Sequence, residues 1–241
     1  MDMQFRREYD SLGEVNVPSG ALWGAQTERA RGNFRISGIT IDRFPHLITA
    51  LAMTKKAAAR ANARLGVLPH QKFEAICAAC DEIIEGGHRE AFPLDAIQGG
   101  AGTSVNMNAN EVIANLANER LGGLRGANAP IHPNDDVNRS QSTNDVYPTA
   151  VRLSLILAHA DLEAAIAALA DSFDERARAF AEEVKLGRTQ LQDAVPMTLG
   201  QEFSAFAAVL REDVARLREM LPLLGEINLG GTAIGTGLNT P

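Results

Sequence analysis

The spacing of hydrophobic residues predicts a mainly α-helical chain. Apolar side chains recur every three or four positions over residues 43–65 and 70–85, and glycine follows each segment, at Gly66 and at Gly86. This period places the apolar side chains on one face of a helix, and glycine commonly ends helices. Residues 6–18 instead predict short extended segments.

Two much longer helices are predicted in the second half of the chain. Residues 148–184 are apolar around most of the helix circumference at the start, which is typical of a helix buried among others. At 1.5 Å per residue this helix would span about 55 Å. A second long helix is predicted to end near Met220, and Thr198 with Gln201 forms a capping-box sequence at its start.

Helices of this length need neighbours of similar length, so an elongated bundle is predicted. We place a mostly helical N-terminal domain at residues 1–140 and the start of a central long-helix bundle at residues 141–241. A bundle needs roughly three or four helices to enclose a core. Because only two long helices can be recognised, the sequence predicts the first part of a larger fold.

The densest polar segment is residues 132–150, HPNDDVNRSQSTNDVYPTA. Such a run is costly to bury without hydrogen-bond partners, so it forms an exposed loop or faces a polar ligand. Pro148 suits the first turn of a helix, which would place Ser142, Thr143 and Asn144 just before a helix N-terminus. Free N–H groups and the helix dipole favour an anion there. These residues predict a carboxylate or phosphate site, with capping and turn formation as the alternative.

Residues 99–111, GGAGTSVNMNANE, form a second polar segment ahead of a predicted helix. Its glycines allow a tight turn or the close approach of a ligand, and Thr103 or Ser104 can cap the helix. No lysine follows where a phosphate-binding P-loop requires one. Asparagine is a poor helix former, so three asparagines at alternate positions predict buried amides with fixed partners. They are Asn106, Asn108 and Asn110.

Residues 187–202, GRTQLQDAVPMTLGQE, connect the two long helices. Gly187 is predicted to end the first of them, and Thr189 and Gln190 lie in the connection. Uncharged donors near helix starts are suited to binding carboxylates and to stabilising an oxyanion that develops in a transition state. The candidate residues of this kind are Thr103, Ser142, Thr143, Asn144, Thr189 and Gln190.

Composition narrows the classes of partner. The chain has 241 residues, 45% of them hydrophobic, and a net charge of −7, which is typical of a soluble globular protein and argues against a nucleic acid or an acidic membrane as partner. We find no apolar run long enough to span a bilayer and no export signal, so a cytoplasmic location is predicted. Cys77 and Cys80 lack a second ligand pair and are interpreted as buried small hydrophobic residues, not as zinc ligands.

Four segments together resemble the aspartase/fumarase superfamily. They are GGAGTSVNMNANEVIAN, HPNDDVNRSQSTNDVYPTA, GRTQLQDAVPMTLGQEF and GGTAIGTGLNTP, and the similarity runs in order from about Gly20 to Pro241. Within the superfamily, the motifs Thr103-Ser104-Val105, Ser142-Thr143-Asn144-Asp145 and Thr189-Gln190 resemble the aspartate ammonia-lyase branch. Class II fumarases typically carry paired serines and Thr-His at the last two of these motifs.

The resemblance implies a homotetramer with a shared helical bundle and active sites built from three subunits. The implied reaction is the reversible anti elimination of ammonia from L-aspartate to give fumarate, through an aci-carboxylate, without a cofactor. Thr103, Ser142 and Thr143 match positions that hold the β-carboxylate. Asn144 matches one near the amino group, and Thr189 one that binds the α-carboxylate with the help of Gln190.

The resemblance also places the catalytic base, a serine on a flexible loop, beyond residue 241. We therefore expect these 241 residues alone to be inactive. Two alternatives remain open at this point. One is a class II fumarate hydratase that interconverts fumarate and L-malate, and the other is a helical scaffold fragment without enzymatic activity.

Overall fold

The computed structural model describes residues 4–241, and the chain is mainly α-helical, as predicted. Of the segment that we interpret as lacking an export signal, residues 1–3 lie outside the described residues. The helices are α1 (Ala25–Asn33), α2 (Pro45–Arg64), α3 (His70–Ile84), α4 (Thr103–Arg120), α5 (Thr143–Ala179) and α6 (Leu199–Leu224). The strands are β1 (Phe5–Asp10), β2 (Gly13–Pro18), β3 (Val184–Thr189) and β4 (Gln192–Thr198), which pair as two antiparallel hairpins.

The chain forms two compact units. The first comprises the chain up to Ser154 together with Ile227–Pro241, and the second comprises Leu155–Glu226. Helix α5 begins in the first unit and continues into the second. The domain boundary at residue 140 stays a prediction.

The core of the first unit lies between α2, α3 and α4, which pack against one another. Buried aliphatic side chains from all three helices fill it, among them Leu51, Ile76 and Ile113. Cys77 and Cys80 are buried and free, as predicted, and burial raises the pKa of both thiols. Full burial of side chains of this size stabilises the unit by about 1.5–3 kcal/mol each.

The second unit contains an antiparallel pair of long helices. Phe173 of α5 and Phe180, which directly follows this helix, pack against Phe203 of α6 at ring-centroid distances of 5.8 Å, and Arg211 pairs with Asp171. Other apolar side chains of the two helices stay about half exposed. They include Leu155, Leu162, Leu169 and Val209, at 50%, 49%, 48% and 54%. Two helices cannot cover all their apolar faces, which agrees with the prediction that the bundle needs further helices.

The prediction that no apolar run is long enough to span a membrane is wrong, because helix α5 is long and apolar enough to do so by length and composition alone. Helix α5 reaches a mean hydropathy of 1.6 over 18 residues, and only 11% of that stretch is buried within the chain. The sequence analysis did not recognise this apolar stretch, because isolated polar residues such as Arg152 and His159 interrupt its apolar runs. A helix that packs between the other helices of a soluble bundle has the same composition.

Helix α5 begins five residues earlier than Pro148 predicted. The helix starts at Thr143, so Pro148 lies within it and cannot donate a backbone hydrogen bond to the carbonyl of Asn144. The side-chain amide of Asn228 donates to that carbonyl instead, at 3.1 Å. This replacement bond explains why proline is tolerated here. Because the helix starts at Thr143, Thr143 and Asn144 lie inside its first turn.

The segment after α5 forms a hairpin that the periodicity did not predict. Helix α5 ends at Ala179, not near Val184, and Gly187 lies in strand β3 instead of ending the helix. A Cβ on Gly187 would come within 3.0 Å of the Val195 carbonyl oxygen, so glycine serves the close approach of the two strands. The capping box at Thr198, in contrast, is present as predicted.

The tip of this hairpin holds two residues in the left-handed region, Gln190 with φ 51° and Leu191 with φ 65°. Hairpin turns of this geometry favour glycine, and leucine there is strained. We expect Leu191→Gly to stabilise the chain by about 0.5–1 kcal/mol, measured by urea unfolding. Leu12→Gly is the control, because exposed Leu12 lies in the other hairpin turn without positive φ and should lose stability. A destabilised Leu191→Gly variant would contradict this explanation.

Candidate functional site

The N-termini of α4 and α5 meet in the first unit, beside a cavity of about 930 Å³ that we call the α4/α5 cleft. Gly102, which precedes α4, packs so closely on the ring of Tyr147 that a Cβ would lie 2.3 Å from it. Two predicted anion sites therefore adjoin the same cleft. Its lining includes Gly100, Ala101, Gly102, Asn144, Tyr147 and Ala233.

Ser142 caps helix α5. Its Oγ accepts from the backbone N–H of Asn144 at 3.2 Å, and its own N–H donates to Asp145 Oδ1 at 3.0 Å. The capping alternative is thus realised for Ser142, although its hydroxyl proton stays available for a ligand. The other carboxylate oxygen of Asp145 accepts from the N–H groups of Gly230 and Thr232, which fixes the segment after α6 beside the helix start.

The hydrogen bonds of Thr143 and Asn144 define which of their side-chain groups can donate to a ligand and which can accept from it. The Thr143 Oγ1 accepts from Asn106 Nδ2 at 3.0 Å, so its proton can be donated to an anion. The exposed Asn144 donates through Nδ2 to the Ala233 carbonyl at 2.8 Å, which leaves its Oδ1 as an acceptor. The first turn of α5 therefore presents a hydroxyl donor and an amide acceptor next to each other.

Thr103 is exposed at the first position of α4, but neither Thr103 nor Ser104 caps the helix. Gly102 occupies the cap position with φ 87°, a backbone conformation that threonine and serine rarely adopt. The side chain of Gln98 takes over the capping function, because its Oε1 accepts from the backbone N–H of Val105 at 2.8 Å. Sequence patterns missed Gln98, since it lies outside the usual cap position.

Asn106, Asn108 and Asn110 of α4 are buried, as predicted, and their amide nitrogens have fixed partners. Asn106 Nδ2 donates to Thr143, and Asn108 Nδ2 donates to the Ala91 carbonyl at 3.0 Å. The amide of Asn110 lies 3.5 Å from the sulfur of Met107, a weaker acceptor. Among residues 4–241, the Oδ1 atoms of all three asparagines are buried without a hydrogen-bond partner. Most of this set therefore holds the scaffold, whereas Asn106 reaches a candidate site residue directly.

Thr189 and Gln190 lie in the second unit, at the end of strand β3 and in the exposed hairpin tip. The structure brings Thr103 and the Ser142–Asn144 segment to the neighbouring N-termini of α4 and α5. That Thr189 and Gln190 join them in one active site stays a prediction.

Helix α2 contains a buried lysine, Lys55, that the sequence patterns did not reveal. Lys55 of α2 is fully buried, and its Nζ donates to Asn138 Oδ1 at 2.7 Å and to Gln141 Oε1 at 3.0 Å. Burial lowers the pKa of Lys55 to about 7, against the smaller opposing effects of Cys80 and Asp145. Within a helical Ala-Lys pattern this lysine resembles an ordinary surface residue, so only its long-range partners reveal it.

The lowered pKa of Lys55 predicts how stability depends on pH. Between about pH 7 and the ordinary lysine pKa near 10.5, the unfolded chain binds this proton and the folded chain does not. The contribution of Lys55 to the unfolding free energy therefore rises with pH across this window. We expect Lys55→Met to lose that rise in urea unfolding at pH 7, 8 and 9. The control Lys56→Met should keep it, and equal pH profiles for all three chains would contradict the prediction.

Gly102 provides a test of how tightly the two helix starts pack. We expect Gly102→Ala to cost about 2–4 kcal/mol, because alanine meets both the positive φ and the Tyr147 ring. Gly66→Ala is the matched control, since Gly66 has φ 71° but open space around it, and should cost only about 1 kcal/mol. Equal losses of unfolding free energy for the two variants would show that the Tyr147 contact does not matter.

Residues 4–241 contain no group of three or more His, Cys, Asp and Glu side chains placed to hold a metal ion. Four histidines in this range each pair with a single carboxylate, as His88 does with Glu82 at 2.8 Å.

Comparison with known sequences adds a family. A sequence model of a family described as lyase matches residues 13–241. The aspartate ammonia-lyase of Pseudomonas aeruginosa is 57% identical over 235 residues, 97% of this chain and 50% of the relative. The class II fumarate hydratase of Yersinia pestis is 50% identical over 98% of this chain and 50% of the relative. The chain spans about half the length of the curated relatives it matches.

Solved structures resemble the chain over nearly all its length. A Brucella melitensis protein described as fumarate lyase:delta crystallin, bound to cobalt, has a TM-score of 0.93 and 59% identity, covering 99% of this chain and 52% of that one. The class II fumarase of Schistosoma mansoni has a TM-score of 0.89 and 40% identity, covering 99% of this chain and 50% of that one.

Proposed function

The chain belongs to the aspartase/fumarase superfamily of lyases, and from this membership we propose that its protein eliminates ammonia from L-aspartate to give fumarate. The resemblance of three motifs to the aspartate ammonia-lyase branch supports this choice. They are Thr103-Ser104-Val105, Ser142-Thr143-Asn144-Asp145 and Thr189-Gln190. A small dicarboxylate substrate also agrees with the uncharged donors beside the α4/α5 cleft.

In the proposed reaction, a general base removes a Cβ proton and ammonia leaves from the opposite face. The electron pair of the broken C–H bond moves first into the β-carboxylate and then forms the double bond. Thr103, Ser142 and Thr143 hold the β-carboxylate, whose charge grows in the transition state. Donors fixed at helix N-termini stabilise such growing charge without reorganising, and each typically contributes about 10²–10³ in rate.

The other substrate groups have their own partners in this proposal. The Oδ1 of Asn144 accepts from the substrate ammonium, because Nδ2 of the same amide is engaged by the Ala233 carbonyl. Thr189 binds the α-carboxylate with the help of Gln190. Neither step uses a cofactor.

The observation that carries the proposal is the hydrogen bond from Asn106 to Thr143. Because Asn106 is the donor, the Thr143 oxygen is the acceptor and its proton is available for an anion. The same bond joins the first turns of α4 and α5. In the proposed site, two helix N-termini and a hydroxyl donor act on one carboxylate.

We further propose a homotetramer in the cytoplasm, in which long helices of several subunits form one bundle and each active site takes segments from three subunits. The half-exposed leucines Leu155, Leu162 and Leu169 support this, because other helices would cover them. Exposure of the hairpin tip at Gln190 agrees with a segment that completes the site of another subunit.

A class II fumarate hydratase is the second candidate. The 50% identity to the Yersinia pestis enzyme favours it nearly as strongly as the 57% identity favours an aspartate ammonia-lyase. The two reactions share the carboxylate that accepts the charge and differ in the leaving group, ammonia or water.

Two chimeras separate these candidates. One continues this chain after Pro241 with the C-terminal half of the Pseudomonas aeruginosa lyase, and the other with that of the Yersinia pestis hydratase. Each is offered L-aspartate and L-malate while fumarate absorbance is followed. If the candidate residues in this chain determine the leaving group, both chimeras release fumarate from L-aspartate and prefer it to L-malate. A preference for L-malate in both would favour the hydratase.

A scaffold without enzymatic activity makes a different prediction. Fumarate at concentrations well above its dissociation constant should raise the melting temperature of both chimeras if they bind it. Soluble, folded chimeras that show neither turnover nor a shift in melting temperature would contradict the proposed function.

A further inference from the structure

Lys55 is connected to Thr143 by three consecutive hydrogen bonds. Lys55 Nζ donates to Asn138 Oδ1 at 2.7 Å, and Asn106 Nδ2 donates to the same oxygen at 3.3 Å. Asn106 Nδ2 also donates to Thr143 Oγ1 at 3.0 Å. A buried ammonium of α2 thus stands at one end of the chain of bonds, and a candidate substrate-binding hydroxyl stands at the other.

Lys55 has no carboxylate within ion-pair distance in the described part of the chain, residues 4–241. Its second partner is another neutral amide, Gln141 Oε1 at 3.0 Å. The nearby Asp145 uses its carboxylate to accept backbone N–H groups, among them that of Ser142. A buried ammonium without a counter-ion opposes folding, so stability of the core does not explain a lysine at this position.

An ammonium group fixes the donor-to-acceptor direction of the hydrogen bonds in this network. Asparagine amides can present either their nitrogen or their oxygen to a neighbour, and the orientation follows from the partners. The ammonium form of lysine can only donate, so protonated Lys55 forces Asn138 to present its oxygen. That oxygen in turn requires the amide nitrogen of Asn106, and the same nitrogen then donates to Thr143.

The reverse orientation would disable the hydroxyl of Thr143. Asn106 Oδ1 is buried without a hydrogen-bond partner among the described residues. If the Asn106 amide turned over, this oxygen would face Thr143 and accept its proton. The Thr143 proton would then be donated to Asn106 and would be unavailable to a bound carboxylate.

We propose that Lys55 is a positioning residue of the carboxylate site, which fixes the amides of Asn138 and Asn106 so that the Thr143 hydroxyl donates its proton to the bound substrate. This inference rests on the proposed function, since it assigns the hydroxyl to the substrate carboxylate. The lowered pKa of Lys55 agrees with it, because a lysine retained at a cost to folding is expected to serve another purpose.

The test is a double-mutant cycle between Lys55→Met and Thr143→Ala in the Pseudomonas aeruginosa chimera. Methionine has nearly the shape of lysine but cannot donate. We expect Lys55→Met to lower kcat/KM by about 10- to 100-fold, as misplacement of a reacting group does, and to cost much less when Thr143 is already alanine. Lys56→Met is the matched control, because Lys56 neighbours Lys55 on α2 and pairs with half-buried Asp81.

Two outcomes would overturn the proposal. One is a Lys55→Met chimera as active as the Lys56→Met chimera. The other is a loss that multiplies fully with that of Thr143→Ala, since a purely structural effect does not depend on the Thr143 hydroxyl.

A spectroscopic measurement on the 241-residue chain is independent of turnover. In nuclear magnetic resonance spectra of the original chain, the Asn106 side-chain amide protons should show a nuclear Overhauser effect to Thr143. In Lys55→Met this effect should be weakened or absent. Lys56→Met should retain it. If this expectation is met while neither chimera turns over either substrate, the proposed function fails and the amide orientation stands. An effect that is unchanged in Lys55→Met refutes the orientation itself.

Discussion

Thr143→Ala in the chimera is expected to lower kcat for L-aspartate by at least about a hundredfold. The variant removes the hydroxyl whose oxygen accepts from Asn106 and whose proton we assign to the β-carboxylate. Because negative charge on this carboxylate grows between the bound substrate and the transition state, the loss should fall more heavily on kcat than on KM. The measurement is steady-state fumarate release across a range of L-aspartate concentrations.

Thr143→Ser is the matched control for this prediction. It keeps the hydroxyl and loses only a methyl group, so its kcat should stay within about tenfold of the original value. Turnover in Thr143→Ala that equals that of Thr143→Ser would remove Thr143 from the proposed site.

Glu111→Ala is expected to produce the largest loss of stability, about 4 kcal/mol or more. Glu111 of α4 is buried, and its carboxylate accepts the backbone N–H groups of Gly24, Gln26 and Thr27 at 2.9–3.1 Å. It also accepts the hydroxyl of Thr27 at 2.6 Å. Alanine would leave all four donors at the start of α1 buried or partly buried without this partner.

Urea unfolding of the 241-residue chain measures this loss. Glu119→Ala is the control on the same helix, because Glu119 lies near the surface and pairs with Arg125, and it should change the unfolding free energy by less than about 1 kcal/mol. Burial raises the pKa of Glu111, whereas its four hydrogen bonds act in the opposite direction. A Glu111→Ala variant as stable as Glu119→Ala would refute the capping role.

Local patterns predicted much of the fold. The period of apolar residues located α2 and α3 to within a few residues, and the pair Thr198–Gln201 located the start of α6. These features depend on residues close in sequence, so their physical causes are visible in a short window. The polar motifs likewise indicated which residues lie at the starts of α4 and α5.

Features with distant partners could not be predicted in this way. The start of α5 was predicted wrongly from Pro148, because the hydrogen bond that proline cannot make is replaced by one from Asn228. Asn228 lies 84 residues from Asn144, whose carbonyl accepts that bond. Glu111 looked like an ordinary helical glutamate, although its partners around Gly24 lie up to 87 residues away. Lys55 was missed for the same reason, since Asn138 is 83 residues distant.

The hairpin of β3 and β4 illustrates a second limit. Its strands are mostly exposed and carry no alternation of buried and exposed side chains strong enough to suggest a sheet. Their pairing is held by backbone hydrogen bonds and by close approach at Gly187, neither of which leaves a clear hydrophobic pattern.

The central claim is that uncharged donors at helix N-termini bind a small dicarboxylate, and a crystal structure of the chimera with fumarate bound tests it most directly. The account predicts a carboxylate oxygen within about 2.5–3.0 Å of Thr143 Oγ1, beside the starts of α4 and α5. Fumarate bound elsewhere, with no contact to Thr103, Ser142 or Thr143 in any subunit, would contradict it.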